Sequence, residues 1–160
     1  MAIVMGIDPG TRLVGYGVVE AELRGDPRYL GGGTVRTTAK GSIAQRLNEV
    51  FRGLEEQVRH FQPDILAVEE AFVGRNIQST MRLGEARGVI LLLAARESLE
   101  VHQYPAARVK KAVVGNGRAD KVQVQRMVQA ILGLESIPQA DAADALAVAL
   151  CHCHRLSAPR

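Results

Sequence analysis

Acidic residues stand at three places where the surrounding sequence is built for a core. Asp8 ends the apolar run Ala2-Ile-Val-Met-Gly-Ile7, and Glu69 ends Ile65-Leu-Ala-Val68. Asp141 and Asp144 interrupt Ala140-Asp-Ala-Ala-Asp-Ala-Leu-Ala-Val-Ala149. A carboxylate is rarely buried unless it is paired or bound to a metal. Hard divalent cations take oxygen ligands, and Mg2+ is commonly held by one or two carboxylates with waters and substrate phosphate. Two such ions about 4 Å apart can serve the attacking and leaving oxygens of an in-line phosphoryl displacement. The expectation is one shared cation site made from Asp8, Glu69, Asp141 and Asp144. Taken singly, a strand-end Asp is more often a turn former and a helical Asp a solvated face; the coincidence of all of them favours the site. Val68-Glu69-Glu70 offers two candidates, and strand alternation sends them to opposite faces without choosing between them.

Such a site needs a rigid scaffold. Residues 2–7, 13–19 and 29–38 have strand character, the last interrupted by Gly31, Gly32 and Gly33. Pro9-Gly10 is a turn signal that predicts an antiparallel hairpin from the first two. The period then changes: Ile43, Leu47, Val50, Phe51, Leu54, Val58 and Phe61 share one helix face. Ser42 with Gln45 gives a capping-box start and Gln62-Pro63 a stop. Pro63 introduces a short buried strand that delivers Glu69. A long helix over 77–97, a strand over 99–103 and three shorter helices around 105–113, 120–132 and 139–154 complete the order, with Asp120 and Gln123 capping the second of these helices. Three antiparallel strands extended by parallel ones predict an α/β fold, a mixed sheet flanked by helices. If the strands ending in Asp8 and Glu69 are parallel neighbours, the two carboxylates lie side by side. Asp141 and Asp144 share a helix face, and the alanines around them let that helix approach the sheet closely. One domain over residues 1–156 is expected, with 157–160 as a frayed tail.

Basic residues cluster in Arg108, Lys110, Lys111, Arg118, Lys121 and Arg126, around a Gly115-Asn-Gly117 segment expected to be a flexible loop. Such a stretch can lay cations along a phosphate backbone, or it is a solvated helical face. Phe72-Val-Gly-Arg-Asn76 follows Glu69 directly. Phe72, Arg75 and Asn76 suit base stacking and phosphate contact, with a core role the even alternative for Phe72. Gly115-x-Gly-x-x-x-Lys121 lacks the spacing of a P-loop. Cys151-His-Cys-His154 looks like a metal cluster, but four consecutive helical residues point in different directions and cannot share one ion. Gly84-x-x-x-Gly88 suits tight helix packing, including packing across a dimer.

Composition is ordinary for a globular protein: 160 residues, 47% hydrophobic, 23% charged, and net charge +3, which permits a nucleic-acid partner without requiring one. The longest apolar stretch, Val89 to Ala95, is far short of the roughly 18 residues a membrane span needs. No secretory signal is expected from the first residues, and two cysteines argue against a disulfide framework. A cytoplasmic protein with reduced thiols is the expectation.

With these residues in place, the chain closely resembles the RuvC-type Holliday-junction resolvases of bacteria. The resemblance is carried by Gly6-Ile-Asp-Pro-Gly10 with Gly15-Tyr-Gly17, Gln62-Pro-Asp64 with Val68-Glu69 and Phe72, and Leu83-Gly-Glu-Ala-Arg-Gly-Val89. It continues through Val109-Lys110, Val113-Val-Gly115, Gln139-Ala-Asp-Ala-Ala-Asp-Ala-Leu146 and His152-Cys-His154. It implies a ribonuclease-H-like fold, a homodimer, and nicking of two opposing strands of a four-way junction with Mg2+ or Mn2+, one or two ions per subunit. It also implies Asp8, Glu69, Asp141 and Asp144 as the catalytic and metal-binding acids, selecting Glu69 over Glu70. Phe72 matches a junction-inserting aromatic, Lys110 and Lys121 match DNA-binding lysines, and cooperation with the RuvAB branch-migration machinery follows. Two other readings compete: a junction-binding protein without catalysis, which has no need of four placed acids, and an actin- or sugar-kinase-like ATPase. Asp8-Pro-Gly10-Thr11 suits the phosphate loop of that ATPase class, but the class needs a second domain, for which 160 residues are too few.

Overall fold

The apolar run that ends at Asp8 becomes the middle strand of a five-stranded sheet. The computed structural model describes residues 1–22, 25–38, 40–70, 74 and 76–157. Strands β1 (Ala2–Asp8), β2 (Leu13–Ala21) and β3 (Arg28–Arg36) form an antiparallel set, as the Pro9-Gly10 turn predicts. Strands β4 (Ile65–Glu69) and β5 (Glu100–Tyr104) extend it in parallel on the other side of β1, giving the order β3-β2-β1-β4-β5. The expected mixed sheet is the one observed. Central, doubly covered strands explain why β1 and β4 are continuous apolar runs rather than alternating ones.

One face of the sheet is covered by α1 (Ile43–Phe61) and α2 (Ile77–Arg96). Met5, Ile7, Val14, Val18, Leu66 and Val68 meet Val50, Leu54, Ile90 and Leu93 there. Helix α1 begins at the Ser42–Gln45 capping box and ends at Gln62, whose left-handed conformation (φ 49°) turns the chain back toward the sheet. The other face is covered by α5 (Ala140–Ser157), itself overlaid by α3 (Ala106–Val114) and α4 (Lys121–Leu132). Every residue of α5 from Ala142 to Cys153 is buried except Asp144. A helix apolar on all sides is one enclosed on all sides, and the single half-exposed position is an acid. Helix α5 runs through Ser157, whose hydroxyl donates to the Cys153 carbonyl at 3.1 Å; residues 158–160 lie outside the described residues.

The close seat of α5 has a local cause. Gly6, Gly15 and Gly17 present no side chain toward it, and a Cβ on any of them would overlap the backbone or side chains of α5. The 115–119 segment differs from the expected flexible loop. Gly115 caps α3 in the left-handed conformation (φ 80°), and the Asn116 side chain and carbonyl accept from the amides of Arg118 and Ala119 at 3.0 and 3.1 Å. Local hydrogen bonds make it a closed turn that fixes the start of α4. Cys151, His152 and Cys153 are core residues, and His154 is exposed. His152 Nδ1 and the Tyr104 hydroxyl are hydrogen-bonded at 2.6 Å; burial, then the neighbouring His102, hold the imidazole down to about 4. Burial pushes the Cys153 thiol up to about 12, so it stays protonated. No helix among the described residues is long and apolar enough to cross a membrane.

Candidate active site

The parallel pairing of β1 with β4 aligns Ile7 with Val68, so Asp8 and Glu69 leave adjacent strand ends together. Ile65 and Ala67 pack on the α5 side of the sheet, whereas Leu66 and Val68 pack on the α1–α2 side. Alternation therefore directs Glu69 to the α5 side with Asp8. Glu70 is exposed, and its amide donates to the Tyr104 carbonyl at 2.8 Å. The choice that the sequence left open is made by the face.

Asp8 also lies opposite Gly15 in the β1–β2 ladder. Because Gly15 has no side chain, the Asp141 backbone comes down onto β2 at that point. Asp141 occupies the first turn of α5, where a carboxylate is favoured by the positive end of the helix. Asp144, three residues on, faces a cleft of about 230 Å³ whose wall includes Asp8, Glu69, Lys110, Lys121 and Asp144. Asp141 does not line that cleft but stands close enough to act electrostatically on both Asp8 and Asp144.

The acids crowd one another. Asp8 is pushed up from 3.8 to about 8 by burial, by the charge of Glu69, by a hydrogen bond to the Glu69 carboxyl, and then by Asp144 and Asp141. A carboxyl placed against a second carboxylate keeps its proton to higher pH, because ionising it sets like charges side by side. Burial also raises Asp144, opposed by the Lys121 and Lys110 cations and reinforced by Glu69 and Asp141. Lys121 Nζ is 3.9 Å from Asp144 Oδ2, the loose ion pair of a half-exposed acid. The Asp120–Gln123 capping box starts α4 at Lys121 and so fixes where that lysine emerges.

These residues suit a hard divalent cation in their chemistry: three carboxylates line one cleft, a fourth acts on them from beside it, and oxygen is the donor throughout. Among the described residues, no three potential ligands already converge as a closed set.

The chain as a whole is similar to proteins already known. A family model for "Crossover junction endodeoxyribonuclease RuvC" matches residues 4–152. The chain belongs to the RuvC family of crossover junction endodeoxyribonucleases. The RuvC proteins of Photobacterium profundum and Marinobacter nauticus are each 50% identical to it over 154 residues, covering 96% of this chain and 88% and 87% of theirs. The structure of T. thermophilus RuvC in complex with a Holliday junction substrate superposes with a TM-score of 0.91 at 35% identity, covering 98% of this chain and 96% of that one. The expected ribonuclease-H-like architecture is thus that of the RuvC fold.

Of the residues singled out in the sequence, the fold brings Asp8, Glu69, Asp144, Lys110 and Lys121 to one cleft, with Asp141 adjacent. Lys111 and Arg118 are exposed and do not line it. Asn76 caps α2, its side chain accepting from the Ser79 amide at 3.2 Å. Phe72 and Arg75 lie outside the described residues. Sequence patterning missed that Lys110 and Lys121 belong to the acidic cleft itself. It also missed Arg12, Arg46 and Arg82, which converge from three separate elements on a second cavity. No local spacing signals such a convergence.

Proposed function

We propose that the protein resolves four-way DNA junctions by nicking two opposing strands in a divalent-cation-dependent hydrolysis. The observation that carries this reading is the joint placement of Asp8, Glu69 and Asp144 on one cleft wall beneath Lys110 and Lys121, in a chain of the RuvC family. Asp8, Glu69, Asp141 and Asp144 would hold Mg2+ or Mn2+, one or two ions per subunit. Such a cation supplies water activation and charge neutralisation at the leaving 3′-oxygen. Lys110 and Lys121 bind the phosphates that flank the acids and draw the strand into the cleft. Phe72 and Arg75, with Asn76 at the start of α2, contact the junction beside the cut, and Lys111 and Arg118 extend the basic surface on α3 and the turn after it. A binding protein without catalysis has no use for a half-buried acidic cluster whose charges disfavour one another. Family membership answers the ATPase alternative.

Two nicks require two sites, and a second copy of the chain supplies the other by two-fold symmetry. The outer face of α2 supports this pairing. Ile77, Met81 and Leu92 are 75, 63 and 56% exposed, and Gly84 and Gly88 lie between them with open space where a Cβ would stand. Cooperation with the RuvAB branch-migration machinery follows from the family. A DNA substrate and two buried free cysteines suit the cytoplasm.

The test is to incubate the protein with a four-way junction and with a linear duplex of the same arms, in Mg2+, in Mn2+ and in chelator. Paired nicks in the junction alone, lost in chelator, are expected. Equal cutting of the duplex, or cutting that survives complete chelation, overturns the proposal.

A further inference from the structure

A second cavity, of about 530 Å³, opens on the α1–α2 side of the sheet at the same end as the acids. Thr11 and Arg12 of the β1–β2 turn, Arg46 of α1, and Asn76, Ser79 and Arg82 of α2 contribute to its wall, which carries three arginines and no acid. Helix α2, which starts at this cavity, has no acidic residue in its first turn, so the positive helix end there favours an anion.

Arg46 is the decisive residue. It is only 7% exposed, yet among the described residues its Nε has no hydrogen-bond partner and its guanidinium forms no ion pair. The nearby acid Glu49 accepts from the Thr38 amide and hydroxyl at 2.6 and 2.8 Å and feels the Arg46 charge only at a distance, without forming an ion pair with it. A buried cation with an unsatisfied donor and no contacting counter-ion costs stability, and an anionic ligand at the cavity would offset that cost. The turn opposite it is held in place, since buried Thr37 donates from its hydroxyl to the Thr11 carbonyl at 2.8 Å and from its amide to the Arg12 carbonyl at 3.0 Å. The cavity is thus pre-formed, cationic and large enough for a sugar–phosphate unit.

We propose that this cavity binds a backbone phosphate of the strand being cut, within a few nucleotides of the scissile phosphate, with Arg46 as its buried anchor and Arg12 and Arg82 as its rim. The inference rests on the nuclease reading above and adds to it a site on the opposite side of the sheet. The cavity adjoins the turn that follows Asp8. Only Pro9 separates Asp8 from Gly10, so the backbone at the edge of the cavity lies at most about 7 Å from that of Asp8, which keeps the cavity within reach of the DNA that the acids engage. Guanidinium groups engage a phosphate through paired, charge-assisted hydrogen bonds, so the site would set the register of the strand over the acids.

The experiment uses the full-length protein and four-way junctions that carry one neutral methylphosphonate at a chosen linkage on either side of the cleavage point. Wild-type protein in Mg2+ should nick roughly tenfold more slowly when the neutral linkage falls at the cavity, the loss expected for one charge-assisted contact. Arg46→Gln should nick slowly on every junction but show less than about a twofold further loss at that linkage, because its partner charge is already gone. Should Arg46→Gln fail to fold, the exposed pair Arg12→Gln and Arg82→Gln carries the test. Together they should halve the methylphosphonate penalty and lower the salt slope of junction binding by up to about one. Penalties unchanged in both variants, or wild-type nicking indifferent to every flanking methylphosphonate, overturn the site and leave the nuclease reading standing. A wild-type protein that never nicks a junction overturns the nuclease reading instead. The salt slope, measured without cutting, then decides the site: a measurable fall, of up to about one, supports it, and no fall overturns it.

Discussion

Gly15 lies beneath the backbone carbonyl of Asp141 and directly across the strand pair from Asp8. The missing side chain is what lets the start of α5 settle over the end of β1. Gly15 does not occupy the left-handed region, so an alanine there is acceptable to its own backbone and clashes only with α5. Gly15→Ala should therefore push the helix outward, costing about 1–3 kcal/mol of stability, or a fall in Tm of roughly 3–10 °C. Misplaced acids should slow nicking by more than about tenfold even in the protein that remains folded. Thermal unfolding with single-turnover nicking at a temperature well below the transition measures both. An unaltered nicking rate would show that the seat of α5 does not position the acids.

Asp8 gives a pH-dependent consequence. Its carboxyl is raised from 3.8 to about 8, first by burial and then by Glu69, so the folded protein holds that proton more tightly than the unfolded chain does. The stability this group contributes is fully present below about pH 4 and is lost as the pH rises through about 8. In chelator, Asp8→Asn should accordingly melt several degrees above wild type at about pH 9, and the gap should close toward pH 4. Mg2+ should raise the wild-type Tm more than that of the variant, and nicking by Asp8→Asn should fall at least about 10²-fold. A variant that melts with wild type at every pH would mean the acids are not mutually strained.

Adjacent glutamates should behave unlike each other. Glu69 faces the cleft, whereas Glu70 is exposed and lies off it. Glu69→Gln should reduce nicking at least about 10²-fold with junction binding retained, and Glu70→Gln should stay within about twofold of wild type, as an exposed change away from such features does. Rates measured side by side on one junction decide this; equal losses would contradict the assignment by sheet face.

Much of this arrangement was legible before folding. Alternation and period give the strands and helices, because a half-buried strand and an amphipathic helix repeat differently along the chain. The capping boxes at Ser42 and Asp120 give two helix starts because they act within four residues. What could not be read is what depends on distant segments meeting. The face taken by Glu69 depends on the β1–β4 register, the clearance at Gly15 depends on where α5 lands, and the closed turn at Asn116 overrides the flexibility suggested by two glycines. Arg12, Arg46 and Arg82 form a group only because the β1–β2 turn, α1 and α2 end at one edge.

The lysines of the cleft should have separable effects. Lys110 and Lys121 each lower the Asp144 carboxyl against its burial, and Lys121 stands nearer the acid than an unrelated surface cation would. Replacing either with Ala should lower the salt slope of junction binding by about one and move Asp144 further upward. In Lys121→Ala the nicking rate should consequently need a higher pH to reach its plateau than in wild type. Binding titrations at several salt concentrations and a pH–rate profile check the two parts. An unchanged slope would return both lysines to a solvated surface.

The outer stripe of α2 is the remaining test of symmetry. Ile77, Met81 and Leu92 recur along one exposed face, and Gly84 and Gly88 leave a shallow groove between them. In isolation such a stripe is an uncovered apolar surface, and a second copy crossing at the glycines would cover it with close backbone contact. Gly88→Leu fills that groove without touching the packed side of α2, since nothing lies within 4 Å of its Cβ position. The variant should keep or slightly raise the stability of the isolated chain, because Gly is about 1 kcal/mol less favourable than Ala or Leu inside a helix. It should nevertheless weaken self-association by more than tenfold, as buried overpacking costs about 1–3 kcal/mol. Sedimentation across a concentration series reads the association, and a junction labelled on both cleavable strands reads the coupling. Paired nicks should give way to single nicks as the variant is diluted. A dimer as tight as wild type would place the two-fold interface on another surface.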